Sequence, residues 1–342
     1  MIIRSKAPLR LGLAGGGSDV DPYCSKFGGL VLNSTINLYV HCTIVERFDN
    51  LIGLNAQDIQ YFEQKESSKY LEPAGELCLH KGVYNRIVKE FDLKPLSFDL
   101  ITRSDAPPGS GLGSSSAMVV AMIKAFSEWL NLPLGEYEIA HLAYQIERED
   151  LKLSGGKQDQ YAASFGGFNL MEFYSNDKTI INPLRIKRWI LNELESSIVL
   201  YFTGVSRSSA KIIDEQIKNT SKNIKSSIES THKIKQSAIQ MKELILKGEV
   251  LSIGKILHQG WENKKRMANS VSNSKIDNIM KLAKEEGAIA GKVSGAGGGG
   301  FIFFIVDPLR KHNLKEMLNK TNGQTVEFQF SHGGSHAWKI YN

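Results

Sequence analysis

A glycine- and serine-rich segment is the part of this sequence best suited to chemistry. It reads Pro107-Pro-Gly-Ser-Gly-Leu-Gly-Ser-Ser-Ser-Ala117, between a predicted strand at residues 97–102 and a predicted helix at residues 117–130. Amides at the start of a helix lack partners within it and carry the positive end of its dipole, so they bind phosphate. Glycines let the backbone approach the anion, and serine hydroxyls donate to phosphate or ligate Mg²⁺. A turn with a capping serine is the simpler alternative, but it needs only one serine. The predicted phosphate-binding residues are Pro108, Gly109, Ser110, Gly111, Leu112, Gly113, Ser114, Ser115 and Ser116.

Two further glycine clusters lie far from this loop in the sequence. The first glycine cluster, in chain order, is Gly12-Leu-Ala-Gly-Gly-Gly17, and the third is Gly291-Lys-Val-Ser-Gly-Ala-Gly-Gly-Gly-Gly300. The segment at residues 107–117 is the second. Because glycine is needed where the backbone takes a positive φ or is closely approached, the clusters indicate three tight turns or one phosphate site built from three segments. The Walker pattern G-x-x-x-x-G-K-[ST] is absent from the sequence.

The elements that must position these loops follow a mixed α/β pattern. The apolar spacing predicts helices at residues 76–91, 117–130, 137–151, 208–247 with a break near 220, 275–286 and 309–319. It predicts strands at residues 97–102, 167–173, 197–202, 301–306 and 325–330. We place a domain boundary within residues 190–205, which gives domains at 1–195 and 196–342.

Composition and charge narrow the class of protein. The 342 residues are 42% hydrophobic and 23% charged, with a formal net charge of +6, which excludes disordered, collagen-like and coiled-coil classes. We expect no membrane span, since every apolar run is short, and no nucleic-acid partner, since no binding motif accompanies the lysines. The three cysteines show no metal or disulfide spacing, and no signal peptide is evident, so we expect a cytoplasmic protein. A homodimer is a possible assembly.

The three glycine clusters together resemble the signatures of the GHMP small-molecule kinases. Residues 107–117 are similar to P-x-G-x-G-L-[GS]-S-S-A, residues 6–19 to the first signature, and residues 292–301 to K-x-[ST]-G-[AS]-G-x-G-G. All three occur in the family order over nearly the whole chain. The resemblance implies an α/β (α+β) two-domain GHMP kinase fold, with an N-terminal domain like ribosomal S5 domain 2 and a C-terminal ferredoxin-like domain. It also implies ATP and Mg²⁺ as cofactors.

One departure from the family pattern bears on the acceptor. Most members have Gly-Glu-His where this chain has Gly15-Gly-Gly17 followed by Ser18-Asp19, a string similar to a branch acting on heptose 7-phosphate or fucose. The resemblance implies a kinase for the anomeric C1 hydroxyl of D-glycero-D-manno-heptose 7-phosphate, whose product feeds GDP-heptose and surface polysaccharide synthesis. A kinase for another sugar, such as fucose, and a non-catalytic ligand-binding paralogue remain the alternatives.

The resemblance also assigns roles to single residues. Asp159 matches the catalytic aspartate that accepts the proton of the acceptor hydroxyl. Arg10 or Lys157 could supply the cation beside it. Ser115 and Glu147 match the Mg²⁺ ligands, although Glu149 is a rival to Glu147, because residues two apart on a helix face different sides.

Residues for the acceptor are predicted from three segments. A phosphorylated sugar needs a cation away from the ATP phosphates, and Arg207, just before a predicted helix, is our first choice. Lys6, Lys157 and Arg103 are alternatives. We interpret His332 and His336 as part of a turn rather than a metal pair, because glycines lie between them. The predicted acceptor-binding residues are Gly16, Gly17, Ser18, Asp19, Gly156, Arg207, Gly297 and Gly298.

Overall fold

The computed structural model describes residues 1–205 and 209–341, which form two β-sheets with helices packed on them. The strands are β1 Ile2–Ala14, β2 Gly29–Glu46, β3 Leu51–Ala56, β4 Tyr61–Glu66, β5 Phe98–Ser104, β6 Phe168–Phe173, β7 Thr179–Pro183, β8 Ile198–Phe202, β9 Ala288–Val293, β10 Phe301–Val306, β11 Gln324–Val326 and β12 His336–Ile340. The α-helices are α1 Tyr23–Phe27, α2 Cys78–Glu90, α3 Ser114–Leu130, α4 Glu136–Gln145, α5 Gln158–Phe165, α6 Arg188–Ser197, α7 Ala210–Ser221, α8 Lys225–Lys247, α9 Ile253–Lys265, α10 Ser274–Glu285 and α11 Lys311–Asn319.

The larger sheet carries the first glycine cluster at the end of its longest ladder. Its strand order is β12-β1-β2-β5-β3-β4, and β6 joins β2 to β7. Strand β1 pairs antiparallel with β2 from Ile2 opposite Val45 to Ala14 opposite Leu32. Helix α3 packs against β1 and β2, and most of its side chains are buried, as expected for a helix that is apolar around most of its circumference. The segment at residues 107–117, called the phosphate loop below, therefore leads into a helix that is held in the core.

The smaller sheet places the third glycine cluster beside the first. Its order is β11-β8-β10-β9, with antiparallel pairs throughout. Strand β10 is apolar at every position because side chains alternate between two cores. Phe301, Phe303 and Ile305 join the main core, whereas Ile302, Phe304 and Val306 join a second core beneath α10 and α11. The glycine-rich segment 294–300 connects β9 to β10.

The sequence pattern predicted many of these elements, with several differences. The helices predicted at residues 76–91, 117–130 and 275–286 are confirmed as α2, α3 and α10, with ends shifted by up to three residues, and the break near residue 220 is confirmed as well. The helix predicted at residues 137–151 is α-helical only as far as Gln145, the last residue of α4, and residues 146–150 form a π-helical turn. The predicted strand at 325–330 was wrong beyond Val326, because the chain then leaves β8 and forms a single bridge between Phe330 and Ile36. The pattern missed β1 to β4, where buried and exposed positions do not alternate simply.

The predicted domain boundary falls at the end of α6, just before the first strand of the smaller sheet. The chain does not stay on one side of it, because β12 returns to pair with β1 in the larger sheet. The division into residues 1–195 and 196–342 stays a prediction. Among the described helices, none is both long and apolar enough to cross a membrane.

Candidate active site

The three glycine clusters meet in the folded chain. The backbone N–H of Arg10 donates to Leu112 O at 3.0 Å, which joins β1 to the phosphate loop. The hydroxyl of Ser294 donates to Gly111 O at 2.8 Å, which joins the third cluster to the same loop. Lys292 joins the third cluster to the first, because its Nζ donates to Gly12 O at 2.8 Å. The interpretation as one site built from three segments is therefore favoured over three separate turns.

The phosphate loop has the backbone that its sequence predicts. Gly109, Gly111 and Gly113 have φ values of 69°, 81° and 79°, in the region that favours glycine. A Cβ on Gly111 would also lie 2.5 Å from Ser294 O, so a side chain there would separate the two segments. The N-cap residue of α3 is Gly113, which has no side chain to bond to the first amides of the helix. The amides at this helix start are therefore available to an anion.

Members of the loop divide between the cavity and the core. A cavity of about 300 Å³ opens between the loop and the third cluster. Gly109, Gly111, Gly113 and the serines at 114–116 line it, with Ser115 exposed. Ser110 and Leu112 are buried behind the loop, and Pro108 lies at the surface outside the lining.

Asp159 lies in the first turn of α5, at the same cavity. Arg10 donates to its Oδ1 from Nε at 2.7 Å, and Nη2 lies 2.6 Å from the same oxygen as an ion pair. Nη1 donates to Gly111 O at 2.6 Å. A Cβ on Gly113 would lie 3.3 Å from the Asp159 Cγ, so the carboxylate lies against the phosphate loop. Arg10 thus fixes the position of both the carboxylate and the loop.

Lys157, the other residue predicted as the cation beside Asp159, pairs with different carboxylates. Its ammonium lies 3.2 Å from Asp177 and 3.5 Å from Asp21, and 5.1 Å from the centre of the Tyr144 ring. Burial acts to lower its pKa, but Tyr144, Asp21, Cys24 and the hydrogen bond to Asp177 together outweigh that effect and raise the pKa above its ordinary value. Its side chain is absent from the cavity lining. The structure thus supports Arg10, not Lys157, as the cation on Asp159.

The π-helical turn at residues 146–150 gives the two candidate glutamates different surroundings. Glu147 is 2% exposed and lines the cavity, whereas Glu149 is exposed to solvent. Gln160 donates to Glu147 Oε2 at 2.5 Å and to the Ser116 hydroxyl at 3.2 Å, which orients the carboxylate. Carboxylate and hydroxyl oxygens suit Mg²⁺, which takes few protein ligands and completes its shell with phosphates and water. Ser115 and Glu147 line the same cavity and offer the oxygen types that such an ion takes.

Asp19 lines the cavity but also has a structural role. Its Oδ2 accepts from the backbone N–H groups of Lys157 and Gln158 at 3.0 and 3.1 Å, and its Oδ1 accepts from Gly17 N at 3.0 Å. It therefore caps α5 from a distant segment and holds Asp159 in place. Gly156 is the reason that this approach is possible, since a Cβ there would lie 2.0 Å from Asp19 Oδ2.

Other predicted acceptor residues have different positions. Gly17 and Gly156 line the cavity, and a Cβ on Gly16 would lie 4.0 Å from the Lys264 ammonium. Ser18 is fully buried outside the lining, because its hydroxyl donates to Gly15 O and Leu30 O. Gly297 and Gly298 also lie outside it.

The two last glycines pack against the segment 269–271 instead. The amide of Gly298 donates to Val271 O at 2.8 Å, and a Cβ on Gly297 would lie 2.6 Å from the same oxygen. Four predicted acceptor residues are therefore not among those that line the cavity: Gly16, Ser18, Gly297 and Gly298.

The candidate cations for an acceptor phosphate lie in different parts of the molecule. Arg207 lies outside the described residues. Lys6 lies over the Tyr39 ring, and Arg103 pairs with Asp105, both outside the cavity lining. Arg148, which the sequence analysis did not select, lines the cavity and lies 3.7 Å from Glu147.

His332 and His336 do not form part of a metal cluster. Within residues 1–205 and 209–341, no group of three or more histidine, cysteine, aspartate or glutamate side chains could hold a metal ion. His332 lies in an irregular segment, as expected, and His336 begins β12.

Comparison with known proteins decides the family. The GHMP kinases N terminal domain matches residues 79–167, and the GHMP kinases C terminal domain matches residues 241–324. A D-glycero-alpha-D-manno-heptose 7-phosphate kinase from Campylobacter jejuni is 54% identical over 338 residues, which cover 99% of each chain. The chain belongs to the GHMP kinase family. It is accordingly a phosphotransferase that uses ATP.

Solved structures agree with the GHMP kinase fold. The crystal structure of a D-glycero-D-manno-heptose 1-phosphate kinase from Bacteroides thetaiotaomicron is 53% identical, covers 99% of this chain and 100% of its own, and superimposes with a TM-score of 0.86. The mevalonate kinase from Methanococcus jannaschii is 22% identical, with 97% and 98% covered and a TM-score of 0.72, and shows the fold alone. The expected two-domain GHMP kinase fold of mixed helices and strands is confirmed.

Besides Arg148, sequence reasoning missed other polar side chains of this kinase cavity, among them Gln158, Gln216 and Lys264. Gln158 Oε1 and Gln216 Nε2 are buried without a hydrogen-bond partner in the described part of the chain. Buried polar atoms are normally paired, so both are available to a ligand. Burial lowers the pKa of Lys264 to about 8, with Arg10 adding to the decrease and Asp19 and Asp159 opposing it. Gln216 and Lys264 lie on α7 and α9 far from any signature, and no local pattern distinguishes them.

Proposed function

We propose that this kinase transfers the γ-phosphoryl group of ATP to the anomeric C1 hydroxyl of D-glycero-D-manno-heptose 7-phosphate, giving the 1,7-bisphosphate. The observation that carries the proposal is the 54% identity, over 99% of both chains, to a heptose 7-phosphate kinase. The product is an intermediate suited to GDP-heptose and surface polysaccharide synthesis. The described cysteines are free thiols, as is usual in a reducing compartment, so the proposal places the reaction in the cytoplasm, where ATP is made.

Asp159 is the residue proposed to act on the acceptor. Phosphoryl transfer depends mainly on positioning and charge stabilisation, with a carboxylate that orients or deprotonates the attacking hydroxyl. The C1 oxygen forms a bond to the γ-phosphorus as the bond from that phosphorus to the ADP oxygen breaks, and Asp159 accepts the hydroxyl proton. Arg10 holds Asp159 by two contacts and donates to the phosphate loop, so one side chain aligns acceptor and donor.

The phosphate loop and the start of α3 are proposed to bind the ATP phosphates. Backbone amides and the Ser115 hydroxyl face the cavity there. Ser115 and Glu147 would hold Mg²⁺, which when bound offsets negative charge on the phosphates. On the acceptor side, Gly17, Asp19 and Gly156 line the cavity together with the amides of Gln158 and Gln216. Among the described residues, Gln158 Oε1 and Gln216 Nε2 have no hydrogen-bond partner. Such amides suit sugar hydroxyls.

Replacing Glu147 with Gln tests the proposed magnesium ligand. The change removes a carboxylate while keeping the shape, so we expect the Mg²⁺ concentration for half-maximal activity to rise on the order of 10- to 100-fold. The measurement is ADP release against Mg²⁺ concentration at saturating ATP. Glu149→Gln is the matched control and should leave the curve unchanged, because that side chain is exposed. The reverse pattern would move the ligand to Glu149.

The acceptor itself is tested with a panel. The two relatives are named for different phosphate positions, so heptose 7-phosphate and heptose 1-phosphate should be compared directly. Sedoheptulose 7-phosphate, mannose, mannose 6-phosphate, fucose and galactose complete the set. We expect turnover confined to heptose 7-phosphate, with the new phosphate at C1 by NMR. Turnover only on heptose 1-phosphate or on a free sugar would overturn the acceptor assignment.

A further inference from the structure

Lys264 is a buried cation whose partners in the structure do not balance its charge. It lies in the last turn of α9, is 4% exposed and lines the cavity that holds Asp159. Its Nζ donates to Gly295 O at 2.5 Å. Among residues 1–205 and 209–341, no other hydrogen-bond acceptor and no carboxylate at ion-pair distance contacts this ammonium. Burying a charge without a counter-ion is costly, so an anionic ligand at this ammonium would be favoured.

The charged groups around Lys264 are already engaged with other partners. Asp159 accepts both contacts from Arg10, and Asp19 accepts the amides of Gly17, Lys157 and Gln158. The remaining neighbours are cations, Arg10 and Lys292, and burial together with Lys264 and Arg10 lowers the pKa of Lys292. Three basic side chains therefore converge with two occupied carboxylates. Neither carboxylate is left to pair with Lys264, so an anionic ligand would supply its counter-ion.

The position of Lys264 indicates which anion would reach it. Its ammonium contacts the third glycine cluster at Gly295 and lies 4.0 Å from where a Cβ on Gly16 would be. A Cβ on Gly295 would lie 2.9 Å from the Gly111 Cα, so Gly295 touches the phosphate loop. The ammonium thus lies at the junction of all three clusters, on the same cavity as Asp159.

We propose that the ammonium of Lys264 contacts the phosphoryl group as it passes from ATP to the acceptor. This inference rests on the proposed function and deepens it by adding a second cation, besides Arg10, at the reacting atoms. The transferred group spreads negative charge over three oxygens, and a donor preorganised in a water-poor site stabilises that charge.

The proposal predicts an alkaline limb in the rate. Lys264 acts in its protonated form, and its pKa in the free protein is about 8, so kcat/KM should fall as pH rises through that value. A bound anion favours the charged ammonium and raises its pKa, so ATP binding above pH 8 should take up a proton. Arginine at this position stays protonated, so Lys264→Arg should lack both effects.

The experiment compares Lys264→Met and Lys264→Arg with wild type, and Lys265→Met serves as the control. Lys265 is the next residue along, and it pairs with Glu262 away from this cavity. We expect kcat for Lys264→Met to fall about 100-fold, as for loss of one donor at a developing charge. Its melting temperature should not fall, because methionine removes an uncompensated buried charge. Lys265→Met should match wild type in rate.

Proton uptake on ATP binding tests the role of Lys264 even if the Lys264→Arg variant does not fold or the cavity does not accommodate arginine. Calorimetry at pH 8.5, in two buffers of different ionisation enthalpy, should show uptake of about half a proton by wild type and almost none by Lys264→Met. Uptake unchanged in Lys264→Met, or a kcat within threefold of wild type, overturns the proposal. Because ATP binding needs no acceptor, an error in the acceptor assignment would appear in the panel and leave this readout intact.

Discussion

The variant Asp159→Asn should lose about 10³-fold in kcat while binding ATP as wild type does, because a positioned general base typically contributes 10²- to 10⁴-fold. The asparagine oxygen can still accept from Arg10, so the pair that joins β1 to α5 is preserved in shape. The amide cannot take the proton of the acceptor hydroxyl. Single-turnover kinetics with the acceptor found in the panel, together with ATP titration, measure the two effects separately.

Asp150→Asn is the matched control for this variant. Asp150 pairs with Arg86 at 2.6 Å near the surface, and such pairs contribute little. We expect kcat of the control within twofold of wild type. Residual activity of Asp159→Asn above about a tenth of wild type would assign the base to another group.

The variant Arg10→Met should lower both activity and stability. Arg10 is 4% exposed, and removing one member of a largely buried pair leaves the other without compensation, at a cost of about 3 kcal/mol. The same change frees Gly111 O and the phosphate loop, so kcat/KM should fall on the order of 10³-fold. Thermal unfolding and steady-state kinetics measure the two losses.

Arg10→Lys separates the charge of Arg10 from its geometry. Lysine keeps the cation but cannot make three directed contacts to Asp159 and Gly111 at once. We expect an intermediate loss of kcat/KM with most of the stability retained. Full activity in Arg10→Lys would mean that the charge alone suffices, and wild-type kinetics in Arg10→Met would remove Arg10 from the mechanism.

Residue type and local order predicted the phosphate loop well. Three glycines at alternate positions before serines and an apolar helix specify a turn with positive φ and an open helix N-terminus, and the structure has both. Local rules suffice there, because the constraint on each residue comes from its own backbone. The same rules found the helices with clear apolar spacing, such as α3 and α10.

The early strands were harder, because burial on both faces removes the alternation on which strand prediction depends. The first eight residues of β2 are all buried, and β1 is buried from Ala7 to Ala14. The return of β12 to β1 could not be anticipated either, since it joins the two ends of the chain through pairs such as Ile2 with Ile340.

The sequence by itself determined the family signatures, the phosphate loop and the candidate base, since each depends on residues close together in the chain. Tertiary structure alone decided that Arg10 rather than Lys157 holds Asp159, that Glu147 rather than Glu149 faces the cavity, and that Lys264 joins them. The contact between Arg10 and Asp159 joins residues that are 149 positions apart in the sequence. The contact between Lys292 and Gly12, in the same region, joins residues that are 280 positions apart. Contacts over such separations depend on strand register and on which helix face is buried, which no local pattern specifies.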